Sequence, residues 1–265
     1  MSPWPRDRIL AWLCPRAVVI ARQGFGLGNA RIVAHRERAL PHVRPARDEL
    51  ACVAALEAEL EESGWSGAAL SMCISDHFVR YAVLAWRPGL RARADWEAYA
   101  AHELEARYQW TRHNEIRIAH APAGAARLAA AVDEELLQLL LDMAERRRLR
   151  MAALEPNACR VANRYRRKLG RRGHLLVAEP GRVTWLSVAD DRWTGAVSVR
   201  NDDCNGLGAL VMHARLHGGY DPEVDTVWAW GTLDDAAIAH ARLAGVSRLE
   251  PPSATPPSCS ALGLI

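Results

Sequence analysis

Apolar residues recur at helical spacing in the middle of the chain. Val132, Leu136, Leu139, Leu140 and Met143 form one broad apolar stripe, which is typical of an amphipathic helix. Acidic residues stand in the first turn of this segment and arginines in its last turn, as the helix dipole favours. The pattern therefore predicts a helix that packs one face on the core of the domain.

Strand-like and helical runs alternate after this helix. A short strand is predicted over 151–154, a second helix from Asn157 to Gly170, and three strands over 174–178, 183–188 and 196–199. Asn157 is a favourable N-cap residue and Gly170 favours a helix end. The order helix, strand, helix and three-strand meander predicts an α/β core between residues 128 and 199.

The rest of the chain repeats this order in weaker form. Strands are predicted over 17–21, 31–34, 69–74, 78–86 and 226–230, and helices over 46–62, 95–108, 207–216 and 234–243. Mixed sheets covered by helices, in two related halves, are the most economical interpretation. We predict a docking arm over 1–16, a first lobe over 17–123, a second lobe over 124–250 and a disordered tail over 251–265.

Composition and charge narrow the class of protein. Half of the 265 residues are apolar, which allows a substantial core. The 34 basic and 31 acidic residues give a net charge of +3, too small by itself to indicate nucleic-acid binding. The six cysteines are scattered without a CxxC pair, and no apolar run approaches the roughly 20 residues that span a bilayer. We expect a soluble protein of a reducing compartment.

The segment from 128 to 199 resembles the second half of actin-like cytoplasmic proteins of pilus assembly. The resemblance rests on its first helix, the strand LRMAALEP, the helix NACRVANRY and the meander HLLVAEPGRVTWLSVADDRW. The earlier AALSMCISDHFVRYAVLAW is similar to the paired strands that close the first half of such proteins. Relatives include the actin-like protein of the type IV pilus platform and the cytoplasmic domain of the type II secretion L component. The resemblance implies an α/β, two-lobed actin-like (ribonuclease-H-like) fold with mixed sheets.

In that family, ATP lies in a cleft between the lobes, held by two phosphate-binding hairpins and a Gly-rich adenosine turn. The first hairpin should carry Asp-Gly at the end of strand one, where this sequence has Ala21-Arg22-Gln23-Gly24. The second should carry another Asp-Gly, where this sequence has Glu179-Pro180-Gly181. The adenosine turn keeps a single glycine in Gly231-Thr232. The resemblance thus implies a degenerate nucleotide cleft.

The positions implied for this vestigial cleft are Gly24, Gly26, Glu179, Gly181, Gly231 and Thr232. Glu179 can approach a hydrated Mg²⁺ ion, but Pro180 removes a backbone donor where a phosphate needs one. Because Asp is missing from both hairpins, we expect no catalytic residues and no cofactor. ATP is the cofactor left open.

Several other motifs have simpler explanations than catalysis. Gly24, Gly26 and Gly28 have GxGxG spacing and precede a strand, so no helix N-terminus is available for a phosphate. Ser66 lies in a turn that lacks GxSxG spacing. The pair Asp76-His77 is explained by a turn between two strands. None of these motifs requires an enzyme.

His213 and His217 stand four residues apart on a predicted helix, with Cys204 upstream. Two imidazoles at this spacing can share a metal ion. No third ligand is fixed by the spacing, and Ala214 stands where a zinc protease carries glutamate. We therefore expect surface histidines and no metal site.

Two basic runs, Arg146 to Arg150 and Arg164 to Arg172, hold ten basic residues. Both fall at predicted helix ends, where the helix dipole favours cations. Tyr165 is the only aromatic residue in these runs, so the interleaved aromatics of a single-strand nucleic-acid site are missing. We predict a solvated, partner-facing edge at Arg164, Arg166 and Arg167, with acidic peptides or lipid headgroups as ligands.

The resemblance implies a non-catalytic cytoplasmic scaffold of a type IV pilus or type II secretion platform. Its partner would be a segment of an inner-membrane protein bound in the first lobe, which places the chain peripherally at the inner membrane without nucleic acid. Two alternatives stay open: a weak ATPase using the cleft, and a basic RNA- or lipid-binding module using Arg146 to Arg172. The missing Asp residues disfavour the first, and the modest net charge disfavours the second.

Overall fold

The computed structural model describes residues 8–25, 30–40, 49–109, 113–201, 205–217, 219–231, 233 and 235–249. The strands are β1 (Arg8–Cys14), β2 (Ala17–Phe25), β3 (Ala30–Ala39), β4 (Ala69–Ile74), β5 (Val79–Leu84), β6 (Asn114–Ile118), β7 (Arg127–Asp133), β8 (Arg150–Pro156), β9 (Arg172–Glu179), β10 (Arg182–Ala189), β11 (Arg192–Arg200), β12 (Val227–Gly231) and β13 (Val246–Arg248). The helices are α1 (Glu49–Ser63), α2 (Arg93–Tyr108), α3 (Glu134–Arg146), α4 (Asn157–Leu169), α5 (Asn205–His217) and α6 (Asp235–His240), with a 3-10 turn at Asp76–Phe78.

The chain forms two compact units, and the first is built on a five-stranded mixed sheet in the order β3-β2-β1-β4-β8. β1 pairs antiparallel with β2 and parallel with β4, and β8 adds in parallel to β4. Helix α3 buries Leu136, Leu140 and Met143 completely, as its apolar stripe predicts. Its arginines at the C-terminal end face α1, where Arg146 donates two hydrogen bonds to Glu57, at 3.1 and 2.8 Å.

The apolar lead-in is the central strand of this sheet and not a docking arm. The prediction of an arm over 1–16 is wrong for Arg8–Cys14, because Ile9 through Cys14 are all buried in β1. An unbroken apolar run is typical of a strand that is covered on both faces. This strand resembles a short surface segment in sequence, because an arginine at position 8 precedes the apolar run and a proline follows it. Residues 1–7 lie outside the described part of the chain.

The second unit contains a five-stranded sheet that repeats the strand order of the first. Its order is β11-β10-β9-β12-β13, in which three antiparallel strands are followed by two parallel additions. Helix α5 follows the third strand of this set, as α1 follows the third strand of the first set. The side chains of Leu207, Leu210 and Val211 from α5 join the core beneath the sheet. The prediction of two related halves is confirmed by this repeated order.

A three-stranded sheet in the order β5-β7-β6 also belongs to the second unit, and its chain segment lies between β4 and α3. Trp96, Ala100 and Leu104 of α2 pack against its alanine-rich face. The predicted elements do not include β6 and β7, and the predicted pairing of β5 with β4 is wrong, because β5 pairs with β7. The alanine-rich run 128–131 has no alternation, so periodicity could not separate strand from helix there.

The two units interleave along the chain. The first contains Met1–Phe78 and Glu134–Arg160, and the second contains Val79–Asp133 and Val161–Glu250. The stretch from 128 to 199 therefore contributes to both units instead of forming one core, because β8 pairs with β4 while β9 pairs with β10 and β12. The lobe boundary between residues 123 and 124 stays a prediction. Within the described ranges, no helix combines the length and apolar character that a membrane span requires.

Candidate functional site

Three of the six predicted cleft residues lie together at one end of the sheet in the second unit. Glu179 ends β9, Gly181 lies in the turn that joins β9 to β10, and Gly231 ends β12 opposite Ala178. Gly24 lies in β2 of the first unit. Gly26 and Thr232 lie outside the described residues.

Backbone geometry accounts for the glycines at this end of the sheet. Gly181 has φ 79°, which matches the third position of a type II turn after Pro180. Gly231 has φ 98°, and a Cβ atom added there would lie 2.0 Å from the carbonyl oxygen of Ala178. Glu179 is 5% exposed. The turn and the close approach of β12 to β9 require glycine even without a ligand.

The first hairpin lies earlier in the chain than predicted. Strand one is β1, so the turn that corresponds to the first phosphate hairpin is Cys14-Pro15-Arg16-Ala17, between β1 and β2. The segment Ala21 to Gly24, predicted to form this turn, lies inside β2. The corrected turn contains no Asp-Gly pair. Neither hairpin turn therefore carries an Asp-Gly pair, and Glu179 beside the second turn is buried.

The predicted turn residue Asp76 caps a distant helix. Its Oδ1 accepts the backbone N–H of Ala158 at 3.1 Å, in the first turn of α4. Asp76 and Asn157 are both fully buried, and Cys73 Sγ donates to the Oδ1 of Asn157 at 3.7 Å. A carboxylate at a helix N-terminus satisfies an unpaired N–H and opposes the helix dipole. Asp76 therefore fixes the first turn of α4.

A buried polar cluster in the second unit was not predicted from the sequence. His174 Nδ1 lies 2.9 Å from Ser187 Oγ, and its Nε2 lies 3.3 Å from Asp225 Oδ2. Trp185 Nε1 donates to the same Ser187 Oγ at 2.9 Å. Arg172 makes a bidentate ion pair with Asp225 at 2.7 and 3.1 Å. Because Asp225 accepts from Nε2–H, the serine hydroxyl donates to Nδ1.

The hydrogen bonds connect a serine to a histidine and the histidine to an aspartate, as in a hydrolytic triad. The geometry nevertheless favours a structural role. Ser187 is 0% exposed and already accepts the indole N–H of Trp185, so its oxygen is not open to a substrate. The His174 ring packs against Trp185 and Tyr220, with ring centroids 5.4 and 5.3 Å away. The cluster joins β9, β10 and the segment before β12 within one core.

The cluster couples the stability of the fold to pH. Burial lowers the pKa of His174, although the Asp225 carboxylate opposes this effect. Burial disfavours the Asp225 carboxylate, yet hydrogen bonds from Arg172, the Asp221 N–H and His174 leave its pKa below the usual range. Both groups bind protons more readily in the unfolded chain than in the folded one. The folded state is therefore destabilised as the pH falls.

We expect the free energy of unfolding to decrease on acidification from about pH 7 to about pH 5, because unfolded His174 gains a proton in this range. The contribution of Asp225 is lost only at lower pH, as the pH falls through its folded pKa. The variant His174→Gln should cost about 1–3 kcal/mol at neutral pH and reduce this slope. Urea unfolding at several pH values measures both, with exposed His102→Gln as the control. An unchanged slope in His174→Gln would contradict the assignment.

The two basic runs differ in whether their arginines form ion pairs with carboxylates. Arg147 joins Arg146 in pairing with the acidic face of α1, through an ion pair with Glu61. Arg164, Arg166 and Arg167 are exposed on α4, and no carboxylate pairs with them among the described residues. They line a surface depression of about 620 Å³ together with Arg171 and Asp191. Arg148 and Arg150 of the first run are likewise exposed, and no carboxylate pairs with them in the described ranges. The unpaired basic surface therefore includes α4 and the end of the first run.

The fold of the chain is actin-like. Its two five-stranded sheets have the same sequence of antiparallel and parallel strands. No protein-family model matches the chain, and no curated protein matches it either. Among solved structures, it is similar to a Bacteroides thetaiotaomicron protein with an actin-like ATPase fold and unknown function. The identity is 12% and the TM-score 0.69, over 98% of this chain and 96% of that one.

Two further solved structures share the fold. One is a PilM-PilN type IV pilus biogenesis complex, with 10% identity and a TM-score of 0.62 over 92% of this chain and 88% of that one. The other is the cytoplasmic domain of EpsL, an inner-membrane component of the Vibrio cholerae type II secretion system. It has 10% identity and a TM-score of 0.56, over 92% of this chain and 86% of that one. At this identity the similarity establishes the actin-like fold.

Proposed function

We propose that the protein is a non-catalytic scaffold of a type IV pilus or type II secretion platform, peripherally associated with the inner membrane. The observation that carries this proposal is an actin-like fold whose two hairpin turns both lack the Asp-Gly pair. Phosphoryl transfer depends chiefly on positioning a metal ion and an attacking group. A fold without those carboxylates is suited to binding and assembly.

The fold neighbours support the choice of assembly. One neighbour is seen in a complex of two pilus biogenesis proteins, and another is described as a component of a secretion system at the inner membrane. A protein of this class needs a partner that is already anchored in the membrane. We propose that the partner contributes an extended segment.

The three-stranded sheet offers an edge for such a segment. β6 pairs with β7 on one side, and no strand pairs with its other side among the described residues. Ile116 and Ile118 point into the cluster with α2, so the backbone of β6 is held in place. An extended peptide adds to a free edge through main-chain hydrogen bonds, and its alternate side chains provide specificity.

Another outer strand, β3 in the first unit, is less suitable as a docking edge. Arg36 and Arg38 on β3 pair with Glu59 and Glu62 of α1. Such charges along an outer strand are a common protection against pairing with another chain. We assign the partner segment to β6, where the charged residues Glu115 and Arg117 pair with each other. The initial attraction of acidic groups is assigned to the basic face of α4.

Membrane recruitment is expected to require the protein partner, with the arginines in a secondary role. In cells that lack the neighbouring inner-membrane proteins, the chain should move to the soluble fraction. Changing Arg164, Arg166 and Arg167 to glutamine should weaken recruitment by a few-fold at most, with a reduced dependence on salt. Fractionation and immunoblotting measure both effects. Exposed Arg87, Arg91 and Arg93, changed together to glutamine, form a control with equal charge loss.

The opposite result would support a lipid-binding function. In that case the chain would stay on the membrane without its partner proteins and leave it only when the three α4 arginines were neutralised. This outcome would contradict the scaffold proposal.

The purified protein is expected to show no appreciable ATP hydrolysis. Neither hairpin turn provides an Asp-Gly pair, and Glu179, which flanks the second turn, is buried. A phosphate-release assay with Mg²⁺ and ATP tests this, with Glu179→Ala as the comparison. Steady turnover that disappears in Glu179→Ala would establish the alternative function of a weak actin-like ATPase.

A further inference from the structure

A surface hollow in the second unit has features that neither the nucleotide cleft nor the partner edge explains. It has a volume of about 650 Å³ and is lined by residues of α2, α5, β5, β10 and β11, with Ala85 and Ala126. Its basic lining consists of Arg107, His213 and His217, and its aromatic lining consists of Trp185 and Trp193. No carboxylate belongs to this lining among the described residues.

The guanidinium of Arg107 is held at the wall of the hollow. Its Nη1 donates to the carbonyl oxygen of Tyr81 at 3.4 Å and to that of Ala196 at 3.2 Å. These two carbonyl groups belong to β5 and β11, so the guanidinium bridges two strands and is fixed before any ligand arrives. Other donors of the same planar group remain to bind an anion.

The two histidines present their rings side by side on α5. Their centroids are 4.9 Å apart, as expected for residues one helical turn apart. Burial lowers the pKa of His213, and the nearby His217 and Arg107 lower it further. A bound anion would offset the repulsion that His213 experiences from these neighbours and would favour the protonated form of its ring.

The missing counter-charge distinguishes Arg107 from the arginines that pair with carboxylates. Arg36, Arg146, Arg172 and Arg248 each form an ion pair with a carboxylate. Within the described ranges, no carboxylate lies within ion-pair distance of Arg107. The hollow is therefore a concave basic site whose negative charge must come from another molecule.

The remaining lining favours an organic ligand over an inorganic ion. Trp193 is half-buried and Trp185 almost fully buried, and Val83 and Leu210 complete the apolar lining. The volume lies within the usual range of small-molecule sites, about 300–1,000 Å³. Aromatic walls beside a few fixed polar groups bind a flat apolar body and orient its charged end.

We propose that this hollow binds a small organic anion with a flat apolar body and one carboxylate or phosphate group. Arg107, His213 and His217 hold the acidic group, and Trp193 packs against the body. The site goes beyond the proposed scaffold function and does not depend on it. A metal ion is disfavoured, because two imidazoles supply only two ligands and the Arg107 guanidinium repels a cation.

Titration with 1-naphthyl phosphate, followed by calorimetry and tryptophan fluorescence, tests the site in the full chain. Neutral 1-naphthol serves as the uncharged comparison and should bind more weakly. From about pH 8 to about pH 6, protonation of His213 should strengthen binding severalfold relative to variants that lack the imidazoles, since the phosphate itself also gains protons near pH 6. Arg107→Gln should weaken binding by about tenfold or more, whereas Arg93→Gln on the same helix should not.

The histidines provide a second, independent readout. The double variant with His213→Gln and His217→Gln should retain binding at about pH 8 and lose its increase at about pH 6. Circular dichroism confirms that each variant is folded. The proposal is overturned if naphthol binds as tightly as naphthyl phosphate or if Arg107→Gln leaves the affinity unchanged. It is also overturned if Zn²⁺ alone binds tightly and is lost in His213→Gln, since the pair would then be a metal site.

Discussion

Replacing Gly231 by alanine is expected to destabilise the protein severely. The residue has φ 98°, and the new Cβ atom would lie 2.0 Å from the carbonyl oxygen of Ala178. The positive φ costs about 1–3 kcal/mol for a residue with a side chain, and forcing β12 away from β9 costs about as much again. The expected loss in the free energy of unfolding is therefore about 2–6 kcal/mol, measurable by urea denaturation.

Gly208 provides the matched control for this substitution. It lies inside α5, where an added Cβ atom meets nothing within 4 Å. Gly208→Ala should stabilise the protein by about 0.5–1 kcal/mol, because alanine loses less entropy in a helix. If Gly231→Ala were as well tolerated as Gly208→Ala, the close approach of β12 to β9 would be incorrect.

The second large effect is expected at Trp12. This side chain is 2% exposed in the central strand of the first unit, within a cluster that includes Leu10 and Val19. Trp12→Ala should cost about 3–5 kcal/mol, because it removes a large buried side chain and leaves a cavity. Thermal and urea unfolding measure this loss.

A peripheral docking arm would give a different result. Substitution in such an arm changes stability by less than about 0.5 kcal/mol. Val33→Ala in β3 of the same sheet is the control, since Val33 is 50% exposed and should have a small effect. If the effects at Trp12 and Val33 were both small, the docking arm would be the correct interpretation and β1 would not belong to the core.

Elements with strong local signals were predictable from the sequence. The stripe of α3 marks its buried face correctly, and the turn residue Gly170 ends α4 with φ 61°. The meander β9-β10-β11 follows from short turns between alternating runs. In each case the determining contacts join residues that are close along the chain.

Features that depend on distant contacts were not predictable. The pairing of β4 with β8 and the cap of α4 by Asp76 bring together residues far apart in sequence. The cluster of His174 and Asp225 likewise has no local spacing that marks it. The first hairpin was misplaced for a related reason, since an unbroken apolar run has no period that distinguishes a buried strand from a surface segment.

The interleaving of the two units has a consequence for synthesis of the chain. The sheet of the first unit needs β8, which ends at Pro156, to cover the outer side of β4. The three-stranded sheet, at Val79–Asp133, leaves the ribosome before that strand does. A nascent chain thus exposes one side of β4 while the inserted segment emerges. Chaperones that act on growing chains would meet this unpaired edge, and its exposure ends only when β8 arrives.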